Sequence, residues 1–345
     1  MKHVLLVMAV LLSLGRITFS QELLTPEASQ KAGITQRIGL TDISISYHSP
    51  LVKGRVIWGE VIPFGEVWRA GANENTVITF STPVTVEGKP LPAGTYGLHM
   101  LPRKDNWTII FSSNSASWGS YFYQQAEDVL RVDVRPDTAP MQEWLSYIFT
   151  DPKASSVKVE LRWEKIAVGF IIQVDLNQTV LASMRQELRG VKYYSWEGPH
   201  MAADYSLRNK TNVDEALVWA DHSISMKETF SNLNVKAGLL ELKGDKKSAE
   251  KIKQKALLVA DEQQLNAHGY QLLAQGQKQE AIEVFRINVK RYPDSWNVYD
   301  SLADGYEQNG NMKDALINYK IALSKAPEAQ KKRITTQIEK IQKKS

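Results

Sequence analysis

The feature that most restricts how this chain can fold is a duplication near its C-terminal end. LNAHGYQLLAQGQKQEAIEVFRINVKRYP, from Leu265, and YDSLADGYEQNGNMKDALINYKIALSKAP, from Tyr299, superpose after a shift of thirty-four residues. The shift aligns Leu265 with Tyr299, Gly269 with Ala303, Leu272 with Tyr306, Gly276 with Gly310, Ala281 with Ala315, Phe285 with Tyr319 and Pro293 with Pro327. Small residues at fixed places let two antiparallel helices approach closely, aromatics fill the gap to the next pair, and the proline closes the unit. The chain must therefore contain stacked helical pairs.

This period and set of positions resemble the tetratricopeptide repeat. A weaker copy lies upstream, where Gly244 and Ala249 match Gly276 and Ala281 after a shift of thirty-two, and VDEALVWADHSI from Val213 supplies a further helix with Ala216 in the small position. Stacked repeats need an end cap. Ile334, Ile338 and Ile341 give the lysine-rich tail one apolar stripe, so Glu328 to Lys344 is expected to be that cap, its lysines forming a solvated face. The groove should be lined by Gln263, Asn266 and Tyr270 of one repeat and by Asn297, Asp300, Asp304 and Glu307 of the next. Such an acidic lining predicts a basic or neutral protein or peptide partner. The alternative is a groove that only packs against the rest of the chain.

The first half keeps a different rhythm. From about Asp42 to Asn177, short alternating or β-branched runs (ISISY, TVITF, PVTVEG, TYGLHML, WTIIF, SSVKVELRW, VGFIIQVDL) are separated by turn residues, the pattern of an antiparallel sandwich or barrel. Gly88 and Lys89 fit a hairpin between Val84–Glu87 and the run beginning at Thr95. After roughly Thr179 the period becomes 3.6. The expectation is a multidomain chain: an all-β antiparallel sandwich over 21–178, a linker or first helix over 179–199, and all-α tetratricopeptide-like repeats over 200–345.

Residues 1–20 read as a secretory signal, with Lys2 and His3 ahead of the apolar run Val4 to Leu12 and small residues Thr18 and Ser20 before a cut at Gln21. An exported, periplasmic or secreted protein is expected. Removing Lys2 and Arg16 takes the formal charge from +4 to +2, which gives no support for nucleic-acid binding. No later segment approaches membrane-spanning length, so no membrane anchor is expected. The chain has no cysteine, which excludes disulfides, thiol catalysis and thiolate metal sites.

Chemistry is harder to find. His48, His99, His200, His222 and His268 form no HExxH or HxH pair, so no metal is expected. His268 falls at a packed repeat position, whereas His48 and His99 lie in the strand half and could meet in space. GxSxG, P-loop and GxGxxG patterns are missing, so no catalytic residue or cofactor is assigned.

The run YHSPLVKGRVIWGEVIPFGEVWRAGANENTVITF, with LPAGTYGLHMLP, NWTIIF and WGSYFY, resembles the secreted bacterial family catalogued as domain of unknown function 2911, over about Leu40 to Asp175. The resemblance implies an export signal, a β-rich domain and, in longer members, tetratricopeptide helices. It brings no activity. Its hallmark positions fall on Tyr47, Pro50, Gly54, Arg55, Gly59, Pro63, Gly65, Trp68, Arg69, Gly71, Asn73, Glu74, Gly94, Tyr96, Trp107 and Trp118. Members often carry arginine where this chain has Ser49. Two readings follow: a binding scaffold whose β-domain ligand is unknown, or an enzyme or a small-molecule or carbohydrate binder with its site around Arg55, Trp68, Arg69, Asn73, Glu74, His48 and His99. For VWRAGANENT the favoured expectation is a structural clasp in which Arg69 and Glu74 pair across a turn, the alternative a ligand site.

Overall fold

The structure, a computed structural model, describes residues 25–343, so the expected signal and its cut before Gln21 lie outside the described residues. The chain divides into two compact units, one ending at Thr179 and one beginning at Val180.

The first unit is a β-sandwich. Its strands are β1 (Gln30–Ile38), β2 (Thr41–Ser49), β3 (Thr76–Phe80), β4 (Val84–Val86), β5 (Lys89–Leu91), β6 (Gly94–Leu101), β7 (Trp107–Ser112), β8 (Asp128–Val134), β9 (Asp137–Thr150) and β10 (Ser156–Gln173). One antiparallel sheet runs β1-β2-β3-β6-β7-β8 and the other β5-β4-β10-β9. Alternation sends Ile43 and Ile45 of β2, Ile78 and Phe80 of β3 and Ile109 and Phe111 of β7 into one core with Val159, Leu161, Phe170 and Ile172 of β10. Phe111 meets Phe170 edge-on with ring centroids 5.6 Å apart. Full burial of a side chain of this kind contributes roughly 1.5–3 kcal/mol.

Three sequence expectations need correction. The turn at Glu87 and Gly88 (φ 48° and 75°) joins β4 to β5, not to the run at Thr95; β6 belongs to the other sheet, against β3. Two left-handed residues make the tight hairpin turn that matches strand twist. SSVKVELRW and VGFIIQVDL supply one long strand, β10, whose register against β9 shifts on either side of Glu164 because β9 carries the extra residues there. Finally, β1, β8 and β9 carry no obvious strand rhythm. Each lies at the edge of its sheet, where few side chains are fully buried.

The second unit is helical, its first helix starting just before the division. The helices are α1 (Leu176–Glu187), α2 (Glu197–Arg208), α3 (Val213–Met226), α4 (Phe230–Lys243), α5 (Lys246–Val259), α6 (Glu262–Ala274), α7 (Lys278–Arg291), α8 (Trp296–Gln308), α9 (Met312–Lys325) and α10 (Glu328–Gln342). The duplicated segments are the pairs α6/α7 and α8/α9. A Cβ at Gly269 would stand 2.3 Å from the Phe285 ring, so glycine is what allows α6 and α7 to close. Ala281, Phe285, Ala315 and Tyr319 are all fully buried. α6 opens with a reciprocal bond pair between Asp261 and Gln264, which satisfies two otherwise free N–H groups. α10 buries Ile334, Ile338 and Ile341 in the core of the last repeat, as the apolar stripe predicts.

Candidate functional site

Between β2 and β3 the chain folds back on the sandwich. Trp68 exchanges two backbone hydrogen bonds with Met100, both 2.8 Å, and its indole N–H donates to the Gly71 carbonyl at 3.0 Å. The Ala70 carbonyl accepts from Tyr147 Oη at 2.8 Å and from Thr76 Oγ1 at 3.1 Å. A Cβ at Gly71 would lie 2.6 Å from Thr76 Oγ1, so no larger residue fits beneath the turn. Behind it stands an indole cluster. Trp58 makes edge contacts with Trp68, Trp107 and Trp163 at centroid distances of 5.8, 4.8 and 5.8 Å, while Trp68 and Trp163 lie 6.0 Å apart and 21° from parallel. Edge-to-face pairs of this kind add about 0.5–1.5 kcal/mol beyond their burial.

The loop is docked, but not by the expected pair. Glu74 turns to His48, its Oε2 3.2 Å from Nδ1, while Glu27 Oε2 lies 3.0 Å from Nε2. Asn73, at φ 53°, donates to the same Glu27 oxygen at 2.9 Å. His48 and Asn73 thus tie the segment before β1 to the turn. Glu27 escaped the sequence reading because it lies outside every strand run and motif. Glu27, His48 and Glu74 offer three metal-capable atoms within 4.8 Å. Each imidazole nitrogen already faces a carboxylate, so a cation here would have to displace one of these contacts.

Arg69 forms no ion pair with any described residue, and its Nε is buried without a hydrogen-bond partner among them. The guanidinium rests on Gly119, at φ 64°, where a Cβ would be 2.1 Å from Nη1. Arg69 lines a cavity of about 470 Å3 together with Arg55, Trp68, Trp163, Ser120 and Tyr121. Arg55 is spoken for: its Nε donates to the Val52 carbonyl at 3.0 Å and its Nη2 to the Leu51 carbonyl at 2.5 Å. His48 and Glu74 line a separate cavity of about 270 Å3. The residues proposed together from the sequence therefore fall at two places.

His48 and His99 do not form a pair. They sit on β2 and β6, with β3 between, two strand spacings or about 10 Å apart. His99 is buried, its Nδ1 3.1 Å from Ser120 Oγ. Burial lowers its pKa to about 4, opposed by the charge of Asp128. Tyr123, against which His99 packs, is pushed up to about 12, by burial first and then by its bond to Asp128.

In the helical unit the expected acidic groove is closed from within. Asp300 is 5% exposed, and its Oδ2 accepts from Arg333 Nη2 at 2.6 Å. Asp304 accepts from Tyr270 Oη at 2.6 Å and from Tyr319. Glu307 Oε2 lies 2.9 Å from the same Tyr319 hydroxyl, whose single proton the two carboxylates share, and Glu307 Oε1 lies 3.4 Å from Lys340 Nζ. Burial raises the pKa of Asp300, and Arg333 opposes the shift. Arg333 and Lys340 belong to α10, so the cap supplies the cations that an outside partner was expected to bring. Gln263 stays exposed, Asn297 is half-buried, and Asn266 Oδ1 is buried without a partner.

No curated protein matches the chain. The helical part is similar to solved tetratricopeptide-repeat proteins. A structure of MamA protein is 16% identical, covering 44% of this chain and 83% of that one, with a TM-score of 0.29. YrrB, described as a TPR protein with an unusual peptide-binding site, is 17% identical over 44% of this chain and 78% of its own, with a TM-score of 0.27. The C-terminal part of a TPR repeat-containing protein from Cytophaga hutchinsonii is 17% identical over 44% and 60%, with a TM-score of 0.30. For the sandwich, with its turn-borne Trp68, Arg69, Gly71 and Asn73, the family described as "Protein of unknown function (DUF2911)" matches residues 29–172.

Proposed function

We propose that this is an exported, non-catalytic two-domain binding protein, in which the sandwich takes a small ligand in the cavity beside Arg69 and the helical repeats hold a protein segment. The observation that carries the reading is a guanidinium with a buried, unpartnered Nε on the wall of a 470 Å3 cavity. Cavities of several hundred cubic ångströms with apolar walls and few polar groups are the usual form of a small-molecule site. Burying a charge without a partner is costly unless something in the site offsets it.

The enzyme alternative places its site around Arg69 and Glu74, but these line separate cavities, and Glu74 faces His48 rather than Arg69. That separation favours a binding site at Arg69 over a joint catalytic one. For the repeats, internal pairing of Asp300, Asp304 and Glu307 leaves Gln263, Asn266 and Asn297 as lining, which suits a neutral segment better than a basic one. Export is supported by the order of charge, apolar run and small residues before Gln21. Recovery from the periplasm with Gln21 as first residue is expected.

The decisive experiment is a fragment screen by ligand-observed NMR on the mature chain, repeated on Arg69→Ala. Hits lost in the variant, with its melting temperature unchanged, are expected. A screen whose hits are indifferent to Arg69 would end the proposal.

A further inference from the structure

The cavity also says what kind of molecule it fits. Two guanidiniums, Arg55 and Arg69, and one carboxylate, Glu66, line it, with no lysine; Arg55 spends donors on the carbonyls of Val52 and Leu51, which leaves Arg69 as the guanidinium with free donors. Two cations against one acid suit a single negative charge better than two. The Arg69 guanidinium lies on Gly119, close enough that a Cβ there would stand 2.1 Å from Nη1. A planar guanidinium fork matches a planar carboxylate with two parallel hydrogen bonds.

Part of the remaining wall is apolar. Trp68 and Trp163 stack on each other beneath it and are almost wholly buried, while Val61 and Pro63 add exposed aliphatic surface and Tyr121, 79% exposed, stands at the same cavity. Surfaces of this kind take rings, whose faces stack on aromatics. Ser120, held by His99 Nδ1 at 3.1 Å, adds one hydroxyl able to bond a second polar atom.

We infer that the cavity beside Arg69 binds a small monocarboxylate carrying an apolar ring. The carboxylate meets the Arg69 fork, and the ring lies against Tyr121 and the aliphatic side chains of Val61 and Pro63. This deepens the proposed function and rests on that reading of the cavity.

The test is isothermal titration calorimetry of the full mature chain with four probes of one shape: benzoate, benzamide, benzylamine and phenyl phosphate. On the wild type, benzoate should bind at least tenfold more tightly than the other three. Arg69→Gln should bring benzoate down to the level of benzamide and leave benzamide unchanged. Arg69→Lys, which keeps the charge but not the fork, should fall between, and serves if Arg69→Gln does not fold. A preference for phenyl phosphate, benzylamine or benzamide that Arg69 variants alter would overturn the monocarboxylate and leave the cavity as the binding site. If benzoate binds but ignores every Arg69 variant, or if none of the four binds, the inference is overturned. Only the fragment screen decides whether the cavity reading falls with it.

Discussion

The two units treat a guanidinium in opposite ways. In the helical unit Arg333 reaches from α10 to Asp300 at 2.6 Å, and Lys340 stands near Glu307; the acids that looked ready for a partner have one within the chain. In the sandwich Arg69 forms no ion pair with any described residue, although Glu66 lines the same cavity and Glu74 is only five residues away. Glu74 instead faces His48. A charged residue in a promising pattern is thus only half an observation. The other half is whether the fold supplies its counter-charge, and the answer differs between Asp300 and Arg69.

The largest expected effect separates a buried, neutral polar group from a paired one. His99 titrates at about 4 when folded and near its ordinary 6.5 when unfolded. Between these values the unfolded chain binds the extra proton, so the contribution of His99 is fully present above about pH 6.5 and lost as pH falls towards 4, a difference of about 3 kcal/mol. Urea unfolding of wild type and His99→Gln at pH 7 and pH 4.5 measures it. Equal losses in the two proteins would show that burial of His99 does not carry this slope.

Next comes the pair that closes the repeats. Arg333→Ala leaves Asp300 buried with no cation and should cost about 2–3 kcal/mol, below the full value for a buried pair because Arg333 is half-exposed. Adding Asp300→Asn should restore most of it. A double-mutant cycle with no coupling would mean that α10 is held by its isoleucines alone. Glu74→Gln, which weakens one of two contacts at His48, is expected to cost about 1 kcal/mol or less by the same measurement, since Glu74 is half-exposed. Smallest of all, Arg69→Ala should change stability by no more than about 0.5 kcal/mol. A loss of 2 kcal/mol there would erase the contrast between the two arginines and return VWRAGANENT to the role of a clasp held by its arginine.

Much of the fold was legible because its signals are local. Gly269, Phe285 and their partners one repeat later carry the helical pairing in their spacing, and the buried alternation of β2, β3 and β7 is plain in ISISY, TVITF and WTIIF. Edge strands such as β1 and β9 escaped because little of them is buried. The site was legible only in part. Arg55, Trp68 and Arg69 stand out as residues and do meet at one cavity, but Ser120 and Trp163 reach it from distant strands and turns, which no spacing reveals. Glu27 was invisible for the same reason. From the sequence the cations of α10 read as a solvated face, and pairing across thirty-three residues between Asp300 and Arg333 emerges only once the helices are stacked.

Trp58 and the three indoles around it have a consequence beyond packing. Transition dipoles held at such short range and at fixed mutual angles couple, so light absorbed by one ring is shared among the group. The sandwich should therefore carry a two-signed circular dichroism band from its tryptophans, an optical signature that depends on the relative orientation of the rings and disappears if that geometry loosens while the strands persist. Because Trp68 and Trp163 also form the wall beside Arg69, that band would register a slight rotation of either ring before any change in secondary structure could be detected.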